Sequence, residues 1–584
     1  MVCKVAPKID TPNGRSVTGE PQENVQEIAD YETALHSAGY GRFSRSALGA
    51  CVCAFFTTGV ENCLMSYVLP AAKCELQLTT YQAGLVNMAF MCGGVASAFF
   101  WGIVGDVFGR RNTLCMTLLL NGVITLAQST VPDYRLLLTA RSINGFLIGG
   151  PSTLVLTYLS DLIGAKRRQF YLSVTTMSFV AAWLVLPAFG WLVIPYKAIS
   201  CNTLLPIYSW RLYLALSSLP GFVSGIWILL LPESPRLLSD TNRSDEALKL
   251  IAYIHKANYG KSAEFKIKKL IQDNIFVVKT LNGEQESRTK ALFLGVLKDL
   301  KLFVSKTYAL RSSLILFVFF ANMAAGFGLN LWIPELLLRM QGAECKARLS
   351  VLTETTRLFN ANNATWNEIT RANEIHTRAA LNDSTLETYN KQNGDSRCGA
   401  DMNDDVFISG LILGTCCVLG NAACALLCAR GGAKGVRRAA TACTLACALA
   451  CACLAACACS CASSNRIAVA AGAALNAASL NGNVLLIRLL LLALPAKLSG
   501  LGVCWGAWWG RAGGVATNLA VGALLDYSCP APFISVAALL TVSIAAIMLI
   551  KLRSDTDDSG QVADKCGNED DKFTGLDRYI STHV

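Results

Sequence analysis

Two ionisable side chains stand inside apolar runs that should exclude them: Glu61 in the run 46–70 and Arg141 in the run 136–162. A charge at the centre of a spanning helix costs roughly 2.5–3.5 kcal/mol on insertion scales, so Glu61 has to pair, take up a proton or face water. From the helical rise, Glu61 lies ~13 Å inside the end of its run and Arg141 starts ~8 Å below the same surface, within reach of each other's long side chains. The chemistry available is charge pairing or reversible protonation. A structural bridge and a proton-coupling pair are both compatible with the spacing, and Thr58, one turn before Glu61, supplies no second acid.

A second group is the turn Gly102-Ile-Val-Gly-Asp106-Val-Phe-Gly109-Arg110-Arg111, where glycines end a helix, Asp106 can cap or pair across the turn, and two arginines mark a basic loop. Asp161, Arg168, Glu233 and Arg236 carry further charge at the ends of neighbouring runs. Asn87, Asn330, Trp332, Trp505, Trp508 and Arg511 are polar or aromatic groups at depth, which need an aqueous or protein-lined face, and they are the candidate cavity residues. No catalytic triad, zinc constellation or G-x-x-x-x-G-K-[ST] loop occurs, so no enzyme, metal, cofactor or ATP-driven pump is expected. Cys443, Cys447, Cys451, Cys453, Cys457, Cys459 and Cys461 lie in an alanine-rich stretch without histidine or carboxylate and read as small-residue helix packing.

These groups require a membrane scaffold. Hydrophobic residues make up 53% of the chain and charged residues 16%, with a mean hydropathy of +0.42, against roughly 25% charged in soluble domains. Apolar runs near the ~20 residues of a spanning helix fall at 46–70, 82–104, 113–131, 136–162, 170–194, 211–231, 312–334, 405–428, 439–461, 467–494, 498–525 and 531–551. The expected fold is an all-α membrane protein of twelve transmembrane helices in two six-helix lobes. Arg110, Arg111, Lys166, Arg167, Arg168, Arg430, Lys434, Arg437 and Arg438 gather in short loops on one side, and the opposite loops hold mainly Lys73, Arg135 and Lys197. That bias places both termini in the cytoplasm and accounts for the net charge of +11 without nucleic acid.

The expected organisation is a cytoplasmic tail (1–45) with no cleavable leader pattern, a first lobe (46–236), a cytoplasmic linker (237–311), a second lobe (312–552) and a cytoplasmic tail (553–584). The linker shows helical periodicity over Asp245–Ile254 and Phe265–Ile271. The loop 341–405 falls on the luminal or extracellular side, with sequons at Asn363 and Asn382 and a candidate Cys345–Cys398 disulfide. The sequon at Asn242 falls in the linker and should stay bare.

The spacing G-x-x-x-D-x-x-G-R-R resembles the signature loop of the major facilitator superfamily. Tyr40-Gly-Arg-Phe43, Gly59-Val-Glu61, Arg141-x-x-x-Gly145, Asp161 with Arg168, Trp210-Arg211 and Pro232-Glu-Ser-Pro-Arg236 are similar to its sugar-porter branch. With Gly326-Phe-Gly-Leu-Asn330-Leu-Trp332-Ile-Pro334, they resemble most the synaptic vesicle glycoprotein 2 family, from Tyr40 to about Leu552.

The resemblance implies alternating access by a monomeric carrier in a vesicle or plasma membrane, in contact with membrane lipids. Its substrate would be a small polar molecule, a sugar or organic ion, with protons as a candidate coupling ion for symport. It assigns gating to Gly102, Asp106, Gly109, Arg110, Arg111, Asp161 and Arg168, a second latch to Glu233 and Arg236, and coupling to Glu61 and Arg141. Three departures matter. Thr58 replaces a common family acid, the turn Arg430–Arg438 holds no acid, and Ser499 stands at a usual arginine position. They keep open the alternative of a non-transporting, transporter-shaped regulator of vesicle secretion.

Overall fold

The computed structural model describes residues 28–73, 75–195, 209–240, 243–260, 265, 267–270, 301, 303, 305, 308–336, 404–430, 433–460, 465–494, 496–525, 528 and 530–550. A short strand β1 (Ile28–Ala29) and helix α1 (Tyr31–Ser37) precede α2 (Arg42–Cys63), which runs on into α3 (Met65–Ala72). Then follow α4 (Thr80–Phe108), α5 (Arg110–Gln128), α6 (Tyr134–Leu162), α7 (Ala165–Val193) and the pair α8 (Ser209–Ser217) and α9 (Leu219–Leu229). After the linker elements α10 (Pro235–Asp240), α11 (Ser244–Tyr259) and β2 (Lys269–Leu270) comes α12 (Ala309–Met323). It continues through a π turn (Ala324–Leu329) and a 3-10 turn (Asn330–Trp332). The last helices are α13 (Asp404–Arg430), α14 (Ala433–Ser460), α15 (Asn465–Ala493), α16 (Ala496–Leu524) and α17 (Ala531–Leu549).

Counting α2–α3, α8–α9 and α12 with its turns as single segments, the described residues hold twelve long helical segments, matching the apolar runs of the sequence. Eight are apolar and long enough to cross a membrane by themselves, and α4, bent by 49° between Ser97 and Phe100, makes a ninth. The other three, α5, α6 and α16, are diluted by polar residues such as Asn121, Arg141, Asn144 and Arg511. Most of these polar side chains are turned into the protein, the arrangement that hydrocarbon demands.

Close helix crossings rest on small residues, because lipid leaves no hydrophobic drive for helix association and backbones must approach for dispersion to act. A Cβ on Gly145 would collide with the Phe90 carbonyl, and one on Gly93 with the Ser142 carbonyl, so α4 and α6 touch backbone to backbone. Between lobes, Gly414 of α13 packs on the α7 backbone, where a Cβ would stand 2.6 Å from the Leu184 Cα. Cys447, Cys451 and Cys457 are buried in the core of the second lobe, behaving as small apolar residues. Among the described residues no group of three His, Cys, Asp or Glu side chains could hold a metal.

The lobes meet mainly through α4 with α16 and α7 with α13. At the end opposite the charged turn this contact is closed. Tyr67 stacks on Phe407 with ring centroids 6.2 Å apart, Lys73 Nζ lies 3.0 Å from Glu335 Oε1, and Trp191 Nε1 donates to Asp404 Oδ1 at 2.9 Å. At the charged end, among the described residues no heavy atom from beyond its own helix backbone and chain neighbours lies within 4 Å of where a Cβ on Gly102 would stand.

The linker departs from the expected periodicity. α11 buries Ala247, Ile251 and Ile254 against the charged end of the first lobe, as a helix should. Lys269–Leu270, expected to be helical, instead pairs in parallel with Ile28–Ala29, because that register buries Leu270 beside α11 and satisfies backbone groups of the tail.

Candidate functional site

The charged turn is built around Gly109, whose φ of +100° is open to glycine at little cost. It separates α4 from α5 and leaves the Arg111 backbone N–H free to donate to Glu233 Oε1 at 3.0 Å, so the carboxylate caps the positive end of α5. The same oxygen accepts from Ser234 N at 3.0 Å, and Arg111 Nη2 donates to the Leu229 carbonyl. Arg110 donates to Asp161, which also accepts from Ser234 Oγ at 2.6 Å. Exposure ranks the two acids around Arg110: the Asp161 side chain is 2% exposed and that of Asp106, 3.2 Å from Arg110, is 63%. The strong partner of Arg110 is therefore Asp161, and Asp106 forms a solvated pair worth little.

Arg168 does not join Asp161. Its Nη2 donates to both oxygens of Glu32 at 2.9 Å, and its Nε reaches the Ser160 and Ile163 carbonyls, so it fastens the tail helix α1 onto the end of α6. Arg236 stands 3.9 Å from Glu32. The Tyr31 hydroxyl donates to the Asp161 carbonyl at 2.7 Å. Burial, and after it the Asp161 charge, raises the Tyr31 hydroxyl well above its usual range and keeps it a donor.

Glu61 and Arg141 meet inside the first lobe, each 1% exposed. Arg141 Nη1 donates to Glu61 Oε2 at 2.8 Å and Nη2 to the Glu61 carbonyl at 2.9 Å, with the guanidinium 4.2 Å from the Phe90 ring centroid. Three further donors converge on the carboxylate: Asn121 at 2.9 Å, Thr125 at 2.5 Å and Asn144 at 3.3 Å. Every face of the carboxylate is thus occupied by protein. Thr58 spends its hydroxyl on the carbonyls of Ala54 and Phe55.

The candidate cavity residues do not converge. Asn87 and Trp332 line a cleft between the lobes beneath the Lys73–Glu335 pair, with Ser66 and Thr80, and Trp332 Nε1 donates to Asn518 Oδ1 at 3.0 Å. Asn330 belongs to a polar cluster of the second lobe, donating to Asn476 Oδ1 at 3.0 Å and Ser479 Oγ at 3.1 Å, while Asn330 Oδ1 and Asn476 Nδ2 are buried without a partner. Trp505, half-buried, packs against a hydrophobic cluster of the second lobe and lies edge-on to Trp508. Arg511 reaches across the lobe interface to the Gly94 carbonyl and to Ser152 Oγ at 3.2 Å. Asn363, Asn382, Cys345 and Cys398 lie outside the described residues.

Sequence reasoning passed over Asn121, Thr125 and Asn144, although the signal was there: Asn121 and Thr125 share a helix face four residues apart, and Asn144 follows Arg141 by three. It also passed over Glu75, which accepts from Trp210 Nε1 at 2.6 Å and Arg211 Nη2 at 2.6 Å. Glu32 had no local signal, because its role exists only where the tail docks.

A family model described as Major Facilitator Superfamily matches residues 50–352. Synaptic vesicle glycoprotein 2B of Rattus norvegicus is 27% identical over 390 residues, 64% of this chain and 56% of that protein. Synaptic vesicle glycoprotein 2C of Mus musculus is 26% identical over 378 residues, 62% of this chain and 51% of that protein. The chain thus spans about half the length of these curated relatives. Among solved structures, the partially occluded inward-open xylose transporter XylE from E. coli superposes with a TM-score of 0.56 at 13% identity, over 87% of this chain and 99% of that one. A mutant form of the nucleoside transporter NupG does so with a TM-score of 0.54 at 11% identity, over 86% and 99%. At such identities the likeness is one of fold.

Proposed function

The chain belongs to the major facilitator superfamily, and from that premise we propose that it is an alternating-access carrier of a small polar organic solute, a sugar or an organic ion. The observation that carries this reading is the asymmetry of the lobe contact. The lobes are shut around Lys73–Glu335 and Tyr67–Phe407, while at the charged end no described residue outside its own helix comes within 4 Å of a Cβ placed on Gly102. We read this as an inward-facing state. In the opposite state α16 closes against Gly102, with Arg110–Asp161 and the Glu233 cap holding the α4–α5 turn in shape for it. Buried polar atoms of Asn330 and Asn476 without a partner support a polar solute.

The remaining assignments follow the same reading: both termini cytoplasmic in a vesicle or plasma membrane, lobes bounded by the linker 237–311, and glycans on the loop 341–405. Glu61 is proposed as a structural strut, since its oxygens are filled by four protein donors and its exposure is 1%. Proton coupling through it requires that network to open. A second reading, the non-transporting regulator, is favoured by one feature. Between Asp405 and Asp526 the sequence has no Asp or Glu, so the turns joining α13 to α14, α14 to α15 and α15 to α16 hold no acid for a clamp like Arg110–Asp161 of the first lobe.

Uptake and exchange of a panel of radiolabelled sugars and organic ions by the full chain in liposomes, with and without a pH gradient, tests the proposal. The expected result is saturable exchange of at least one solute class. No exchange of any, from protein that is folded and inserted, refutes the carrier and leaves the regulator.

A further inference from the structure

We propose that Arg511 is the anchor for the carboxylate of an organic anion, so that the solute carried is anionic; this rests on the carrier reading. α16 runs Ala496–Leu524, so its midpoint is Gly510 and Arg511 follows at once, at the depth where charge is hardest to keep. A guanidinium does not discharge by losing its proton. Among the described residues its hydrogen bonds go to neutral acceptors, the Gly94 carbonyl and Ser152 Oγ, and none of the ion pairs there includes it.

Its own lobe has no Asp or Glu at any position between Asp405 and Asp526, and its Glu335 is paired with Lys73. In the first lobe Glu61 is taken by Arg141, Glu75 by Arg211, and Asp161 and Asp106 by Arg110, while Glu233 caps α5 at the charged end and Asp133 stands at the start of α6, at the other end of that helix from its charged terminus. The site lies between lobes, where a transported solute must pass. Arg511 and Ser152 keep part of their surface open, and the missing Cβ of Gly94, which would stand 3.4 Å from Arg511 Nη1, makes room for the guanidinium. Trp508, one turn before Arg511 on the same helix face, offers an apolar wall beside it. A planar fork with donors left over, against a neutral background, matches a carboxylate in geometry as well as charge.

The test follows thermal unfolding of the full chain in detergent, at constant ionic strength, in sodium benzoate, sodium succinate, neutral benzamide, sodium chloride and sodium sulfate. At least one carboxylate should stabilise saturably where benzamide, chloride and sulfate do not. Arg511→Gln should raise the half-maximal concentration at least about tenfold and Arg511→Lys, which keeps charge but loses the fork, by less. Without ligand, R511Q should melt no lower than the wild type, because the charge removed has no countercharge in the protein. Stabilisation shared with benzamide or the inorganic anions, unchanged in R511Q, or absent for both carboxylates overturns the proposal, as does an R511Q protein that cannot fold, which would make Arg511 a structural tether. Uptake of a neutral solute surviving at the wild-type rate in R511Q overturns the anion assignment and leaves the carrier standing. Carboxylate-specific binding with no uptake of any solute overturns the carrier and leaves the site.

Discussion

Glu61→Gln separates a strut from a proton-coupling residue. The substitution keeps the shape but removes the charge opposite Arg141, which is 1% exposed. Removing one member of a buried pair costs about 3–5 kcal/mol, since the survivor is left charged in a dry site. The Arg141 contacts to the Glu61 carbonyl and the Phe90 ring exist before and after the change, so they do not offset that loss. The new amide keeps one acceptor for Asn121, Thr125 or Asn144 and recovers about 1 kcal/mol. The net expectation is a destabilisation of about 3 kcal/mol, recovered by roughly half when Arg141→Gln is added, because the second change removes the stranded charge. Reversible unfolding in mixed micelles reads all four corners of that cycle. Should Glu61→Gln instead match the wild type within about 0.5 kcal/mol while pH-dependent uptake disappears, the strut reading is wrong and the carboxylate is the coupling group.

Asp161→Asn should destabilise the charged end by about 2–3 kcal/mol, the lower range for a pair whose arginine is partly exposed, while Asp106→Asn should cost less than about 1 kcal/mol; melting curves of the two variants order them. Gly109→Ala should cost about 1–2 kcal/mol, because it forces a side chain into φ +100° and onto Glu233 Oε2, and should expose the α4–α5 turn to proteolysis. Lys73→Glu sets like charges across the lobe contact with Glu335 and, at about 1 kcal/mol, should open that end of the lobe contact roughly fivefold, read as faster labelling of an engineered cysteine at Ser66. Protein from a eukaryotic cell should gain gel mobility on glycosidase treatment unless both Asn363 and Asn382 are replaced by glutamine.

The multi-span helical fold, the position of the charged turn and the pairing of Glu61 with Arg141 could be read from the chain itself. Each depends on one strong local term: the cost of polar backbone or of a bare charge in hydrocarbon, which leaves few arrangements open. The same term marks Arg511 as an oddity, and the acid-free stretch between Asp405 and Asp526 shows beforehand that neither its own helix nor the two before it can answer it.

Tertiary structure decided which acid serves Arg110. Asp106 and Asp161 are equivalent in sequence, and only the packing of α6 against α5 and α10 buries one and leaves the other in water. It decided that Arg168 fastens α1 through Glu32, a contact between segments 136 residues apart with no periodicity to announce it. It also scattered the candidate cavity residues, setting a half-buried Trp505 against the second-lobe core and sending Arg511 across to Gly94, because helical depth is a local property of the chain whereas facing direction is set by the neighbouring helices.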